Sequence, residues 1–315
     1  MATGKQAFHE AVAEKLIALI EAGTAPWQKP WTPGRSAGIL PINPTTGKRY
    51  RGINTLQLMA AGYSDNRWMT YRQAAAREAQ VRKGEHGTTI QYWDFGQPAS
   101  EKEKEEGASV EKKTRPRVFF ATVFNAEQID GLPPVATPST PKQGWDQIAR
   151  AEEIIVKSGA RIEHRDGDRA YYMPAGDMIV LPTKAQFPSA GDYYGTALHE
   201  LGHWTGHFTR LDRDIGGGFG SVEYAKEELR AEIASMIISS ELEIPHDTTR
   251  HAAYVKNWLV ILKDDPLEIF RAAADAEKIQ DYVLNIEKVL ERKAALAADN
   301  LAKEKERPQS ADLTR

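Results

Sequence analysis

The sequence contains no cysteine. Disulfides and thiolate chemistry are therefore excluded, and any metal site must be built from histidine and carboxylate. No apolar run is long enough to span a bilayer, and no secretory leader opens the chain. The expectation is a cytoplasmic protein with no membrane partner. Acidic residues are scarce in one stretch. Residues 27–93 hold ten basic residues against Asp65, Glu78 and Glu85, a net +7 in a chain whose formal charge is −3, so the remainder carries −10. Such asymmetry points to a polyanion surface confined to one part of the molecule. No base-reading helix signature accompanies it.

What the chain does have is His199-Glu200-Leu201-Gly202-His203. Histidines four apart on a helix share one face and can offer two imidazole nitrogens to one metal ion. Glu200, beside the first of them, is placed to act as a general base toward the attacking water. The competing reading is a helix that happens to carry two surface histidines. A helix capped by Asp192 or Thr196, with Leu198, Leu201 and Trp204 toward a core, suits either reading. A metal needs further ligands, and residues 222–242 form a strong helical pattern with Glu228 and Glu232 one turn apart. One carboxylate can complete a His₂Glu site and the other can accept the free ring N–H of a ligand histidine. Glu228 is favoured as ligand and Glu232 as its support, with the swapped assignment open. The alternative for Glu227, Glu228 and Glu232 is a solvated helix face. His207 follows His203 by four, but H-E-x-x-H-x-x-G-x-x-H fails because Thr209 occupies its last position. His207 is then structural or substrate-facing, and with Tyr193 and Tyr224 a candidate to assist the oxyanion.

Length suggests two domains. Residues 131–144 carry four prolines without periodicity or aromatics and read as a linker. The expected division is 1–130, the linker, 145–293, and a disordered Ala- and Lys-rich tail, 294–315. In the first part, helices are expected over 7–22 (Phe8, Val12, Leu16, Leu19 and Ile20 on one side, Gly23 as stop), 55–61 and 68–80, the last capped at Thr70. Strands are expected over 88–95 and 118–124, flanking a mixed-charge run, 101–113. Trp27, Trp31, Tyr50 and Trp68 recur among Lys29, Lys48, Arg49, Arg51, Arg72, Arg82 and Lys83. Rings that stack on bases beside cations that meet phosphates are what single-stranded DNA binding needs. The alternative is that the tryptophans are core anchors. The second part reads as a helix over 145–157, short strands over 161–164, 170–173 and 177–182, then helices. Both parts are α+β, and 177–181 is the candidate edge strand for an extended substrate.

With both parts laid out, the sequence resembles the ArdC-type antirestriction proteins of conjugative plasmids. The resemblance rests on Pro26-Trp27, Pro30-Trp31, Gly47-Lys48-Arg49-Tyr50-Arg51-Gly52-Ile53-Asn54, Trp68-Met69-Thr70-Tyr71 and Arg82-Lys83-Gly84-Glu85. It rests equally on the histidine motif with Trp204-Thr205-Gly206-His207, on Arg210-Leu211-Asp212-Arg213 and on Glu227 to Glu232. It implies an N-terminal single-stranded-DNA-binding domain similar to that of TraC-type primases, a C-terminal zincin-like metallopeptidase domain with a Glu-x-x-x-acid pair, and a role in shielding incoming DNA. Zn²⁺ is the implied cofactor, with Mn²⁺ as the alternative. The implied partners are single-stranded DNA and restriction endonucleases or other DNA-bound proteins. Two further functions compete: a protease aimed at DNA-bound proteins, as in crosslink repair, and a plain cytosolic metallopeptidase. The basic aromatic stretch argues against the last.

Overall fold

The computed structural model describes residues 7–28, 40–94, 116–134, 144–218, 220–244 and 254–292. Lys29, Trp31, the charged run 101–113, most of the linker and the tail 294–315 lie outside them. The chain forms two compact units, Ser36–Ser139 and Met1–Arg35 with Thr140–Arg315. The first 35 residues thus group with the second half rather than with residues 36–130. The reason is the apolar stripe of α1 (Phe8–Glu21). Val12, Ala13, Leu16 and Ile20 are buried on it, and it packs against α7 (Val255–Asp264). Phe8 meets Phe270 edge to face, and Lys263 pairs with Glu21. The helix stops at Gly23, whose φ of +67° suits glycine. Trp27 follows in a single 3₁₀ turn and is fully buried in the same unit.

The unit Ser36–Ser139 is built on a three-stranded antiparallel sheet. Its centre is β6 (Arg117–Asn125), flanked by β3 (Trp68–Thr70) and β5 (Thr88–Asp94). Residues 68–80 are therefore not one helix. Trp68–Thr70 pairs with β6, and only then does the short α3 (Tyr71–Ala75) start, on a capping box in which Thr70 Oγ1 accepts from the Gln73 N–H and Gln73 Oε1 from the Thr70 N–H. Small ladders β1 (Ile42–Asn43) with β2 (Lys48–Arg49), and β4 (Gln80–Val81) with β7 (Ile129–Asp130), complete it. Each sheet face carries a small core. Trp68, Ile90 and Val123 meet Leu58 of α2 (Ile53–Met59) on one, and Met69 meets Ala74, Ala79, Val81 and Ile129 on the other. Trp68 is 1% exposed, with Tyr63 edge-on to its ring. Trp68→Ala should cost about 3–5 kcal/mol. A melting temperature that did not fall would show that the ring is not part of this core.

The other unit layers helices on a mixed sheet of order β8-β10-β9, with β8 (Arg161–Arg165) parallel and β9 (Tyr171–Met173) antiparallel to β10 (Met178–Pro182). The expectation for 177–181 needs correction here. β10 is the central strand, and all five of its residues are buried; the edge beside the metal motif is β9. α4 (Gly144–Ser158) and α5 (Ala190–Trp204) pack together, and α5 lies against β9 and β10. α6 (Val222–Leu242) runs between α5 and α8 (Glu268–Leu284), with apolar residues buried all round it from Leu229 to Ile238. Among the described residues, no helix is long and apolar enough to cross a membrane.

Candidate metal centre

Helix α5 positions the two histidines. It starts at Ser189, earlier than the expected caps, with Ser189 Oγ accepting from the Asp192 N–H. It ends at Trp204, so His207 falls past its last turn and does not share the face of His199 and His203. His207 Nδ1 instead lies 2.9 Å from Thr209 Oγ1, and the Thr209 N–H donates to it. Tyr193 also faces elsewhere: its hydroxyl is 3.0 Å from His164 Nε2, and the two rings stack.

His199 Nε2 and His203 Nε2 lie 3.2 Å apart. The Glu228 carboxylate, presented by α6, lies 3.4 Å from the second and 3.9 Å from the first. The three residues form the one cluster of potential metal ligands among the described residues. Tetrahedral ligand atoms at ~2.1 Å from an ion would stand ~3.4 Å from one another. The observed spacings match, so the residues fit a divalent ion. Glu200 lines the same cavity, of about 160 Å³, with Tyr224, Tyr254 and residues Ala170, Tyr171, Tyr172 and Pro174 at β9.

The nitrogens facing away from the cluster find carboxylates. His203 Nδ1 lies 3.2 Å from Glu227 Oε1, and His199 Nδ1 lies 3.9 Å from Glu232 Oε2. Glu232 thus stands behind a histidine, while Glu227, which sequence reasoning left as a solvated face, makes the hydrogen bond. It is buried, and Arg213 explains how. Nε and Nη2 of Arg213 donate to both Glu227 oxygens at 3.1 and 2.6 Å, and the same guanidinium donates to the Gly202 carbonyl and Thr205 Oγ1. One arginine therefore ties the end of α5 to the support of its second histidine. Arg210 makes a parallel tie. It caps the Trp204 carbonyl, lies over the Trp204 ring and pairs with Asp177, whose carboxylate also accepts from the Tyr172 hydroxyl on β9. Gly206 is needed in this turn, since a Cβ there would stand 2.6 Å from Ile215 Cγ2.

Electrostatics follow from burial. Burial alone would raise the Glu228 carboxyl, but His203 and His199, with the Tyr224 hydroxyl, outweigh it and hold it at about 2. Burial favours a neutral His203, yet Glu228 and Glu227 push its pKa well above 6.5. Without metal, His203 therefore keeps its proton between the ionised carboxylates of Glu227 and Glu228. Tyr254, whose hydroxyl is 3.2 Å from that of Tyr224, was missed in the sequence: it lies 30 residues away and carries no local signal.

The residues expected to hold DNA divide. Trp27 and Trp68 are buried at 0% and 1% exposure, so their ring faces are covered and cannot stack on bases in this conformation. Tyr50 donates its hydroxyl to the Trp68 carbonyl and packs against the core. Lys48, Arg51, Arg72, Arg82 and Lys83 are exposed and Arg49 is partly so. Arg82 pairs with Glu85 and Asp130.

Comparison with known proteins agrees with this geometry. Residues 149–275 match a zincin-like metallopeptidase model, and residues 6–124 match the N-terminal domain of anti-restriction factor ArdC. The chain is 60% identical over 298 residues to a DNA primase TraC of Escherichia coli; that match takes in 91% of this chain but only 28% of the primase. It is 39% identical over 282 residues to the uncharacterized protein y4eC of Sinorhizobium fredii, with 87% of this chain and 91% of that protein covered. The manganese-bound crystal structure of the antirestriction protein ArdC from plasmid R388 superposes with a TM-score of 0.69 at 38% identity, over 88% of this chain and 97% of that one. The metal-free form gives a TM-score of 0.70. With its N-terminal and zincin-like parts both matched, and His199, His203 and Glu228 clustered as a metal could be held, the chain belongs to the ArdC antirestriction family.

Proposed function

We propose that this protein binds single-stranded DNA through its N-terminal part, protects incoming plasmid DNA from host restriction, and cleaves peptide bonds of a DNA-bound protein at its metal centre. The observation that carries the reading is Glu200 buried beside the His199, His203 and Glu228 triad. A purely structural site needs no general base and is usually closed. His199, His203 and Glu228 would hold the ion, zinc or manganese, which when bound supplies Lewis-acid polarisation of a carbonyl.

The chain's own residues do the rest. An extended peptide adds to the edge of β9, antiparallel pairing being the ordinary way such a segment is held. Glu200 takes a proton from water as its oxygen attacks the carbonyl carbon. The same proton goes to the leaving nitrogen when the C–N bond breaks. The hydroxyls of Tyr224 and Tyr254 are placed to donate to the developing oxyanion.

The test delivers unmodified plasmid DNA into a restricting host with wild type, Glu200→Ala or no protein. Wild type should raise recovery. Glu200→Ala should abolish cleavage of DNA-bound protein while retaining metal and DNA affinity. If wild type gives no protection, the antirestriction reading fails. Protection by Glu200→Ala equal to wild type separates shielding from proteolysis and favours DNA binding as its sole basis.

A further inference from the structure

Strands β5 and β6 carry side chains that their unit does not bury. Register opposes Trp93 to Val118, Tyr92 to Phe119 and Gln91 to Phe120. Side chains alternate, so Trp93, Val118, Phe120 and Phe124 share one face, and Tyr92 and Phe119 the other. At the β3 end each face is covered by its core. Away from it the rings are half exposed: Tyr92 is 50% exposed, Trp93 51%, Phe119 39% and Phe120 54%. Tyr92 and Phe119 stack, their centroids 5.4 Å apart. Asn54 of α2 caps the outer edge here, its side chain bonding both the N–H and the carbonyl of Gln91, so the ribbon is held as a defined element.

We propose that this ribbon is the platform on which unpaired nucleic-acid bases stack. The proposal rests on the single-stranded-DNA reading above and moves its aromatic contacts from Trp27 and Trp68 to Trp93, Phe120, Tyr92 and Phe119. An exposed apolar surface of this kind marks an interaction site. Charge decides its partner. The Trp93 face runs on to Phe124, which lines an open groove with Tyr71, Arg82, Lys83, Glu85 and Asp130. Phe120 and Phe124 are four residues apart, ~13 Å along a strand, enough to meet bases in succession. Arg82 is met by Glu85 and Asp130, whereas Lys83 forms no ion pair among the described residues, so one cation without a protein counter-charge lies in the groove that Phe124 lines. Rings for base faces with cations for phosphates is the requirement of a single strand, whereas a duplex hides its base faces.

The test uses the full chain and a labelled oligothymidine, with melting temperature followed in parallel. Trp93→Ala with Phe120→Ala, and separately Tyr92→Ala with Phe119→Ala, should each weaken binding at least about fivefold per lost stacking ring with little change in melting. Photo-crosslinking of a bromodeoxyuridine oligonucleotide to unsubstituted protein should label peptides containing Trp93 or Phe120. No affinity in wild type would fail the underlying reading. Wild-type affinity with undiminished binding by both double variants, or crosslinks confined to other segments, would overturn the platform and leave that reading standing. Variants that keep oligothymidine affinity but lose protection in a restricting host would show that the ribbon docks a protein, which also overturns it.

Discussion

Glu228→Ala should leave the protein without its metal, whereas Glu232→Ala should weaken binding only about 10- to 100-fold. The difference lies in which imidazole atom each carboxylate faces. Glu228 stands within 4 Å of both Nε2 atoms, the pair that points into the cavity. Glu232 faces His199 Nδ1, on the far side of that ring. A ligand supplies a bond to the ion, and a support behind a histidine supplies only orientation and basicity. His199→Ala belongs with Glu228→Ala. Elemental analysis of tag-free protein and a titration against zinc or manganese would measure both. If Glu232→Ala emptied the site and Glu228→Ala did not, the ligand assignment would be reversed. The same titration at lower pH should give weaker binding. His203 in the folded metal-free protein keeps its proton to a pKa well above 6.5. A ligand imidazole must be neutral, so binding displaces that proton and is opposed by acid.

The second large effect is expected away from the ligands. Arg213→Leu should destabilise the protein by about 3–5 kcal/mol, the cost of stranding one member of a buried ion pair. Arg213 and Glu227 side chains are only 8% and 6% exposed. Removing the guanidinium leaves a buried carboxylate with His203 alone, and also frees the Gly202 carbonyl and Thr205 hydroxyl at the end of α5. Arg213→Lys should recover part of the loss, since an ammonium restores the charge but not the fork that meets both oxygens. The double variant Arg213→Leu, Glu227→Leu should be less destabilised than the sum of its parts, because it strands no charge. Thermal unfolding with and without metal measures all three. A strictly additive double variant would show that the pair does not act as a unit.

The histidine helix and the glutamate helix, the latter with its bounds of 222 and 242, were legible because each rests on local periodicity. Helical spacing alone brings His199 to His203, and a carboxylate one turn from another leaves few choices. The rest depended on long-range pairing. Trp68–Thr70 looks helical beside the alanines that follow, but β6, some 50 residues on, draws it into a sheet. β10 is central, not an edge, and Met178-Ile179-Val180-Leu181 is an unbroken apolar run, the pattern of a strand covered on both faces. The same rule applied to Val118-Phe119-Phe120 beside Tyr92-Trp93 signals apolar side chains on both faces of β5 and β6, which this unit covers only in part. The part played by Glu227 could not be read, because its partner Arg213 comes from a turn whose course no periodicity describes. Trp27 shows the limit of composition: proline, tryptophan and lysine together suggest an exposed binding loop, and the fold buries the ring.

That burial bears on how this protein can be divided or recombined. Residues 6–124 match one family model as a block, yet α1 and Trp27 complete the unit that carries His199 and His203. The sheet unit is therefore an interruption within another folding unit, not a leading bead on a string. A single break in the proline-rich segment would leave Val12, Leu16, Ile20 and Trp27 bereft of the helices that cover them, and would leave α7 with an open apolar flank. Two breaks, one on either side of residues 36–139, respect both cores. Exchange of the sheet unit between proteins would have to proceed as an insertion, with the first thirty-five residues travelling alongside the zincin-like half.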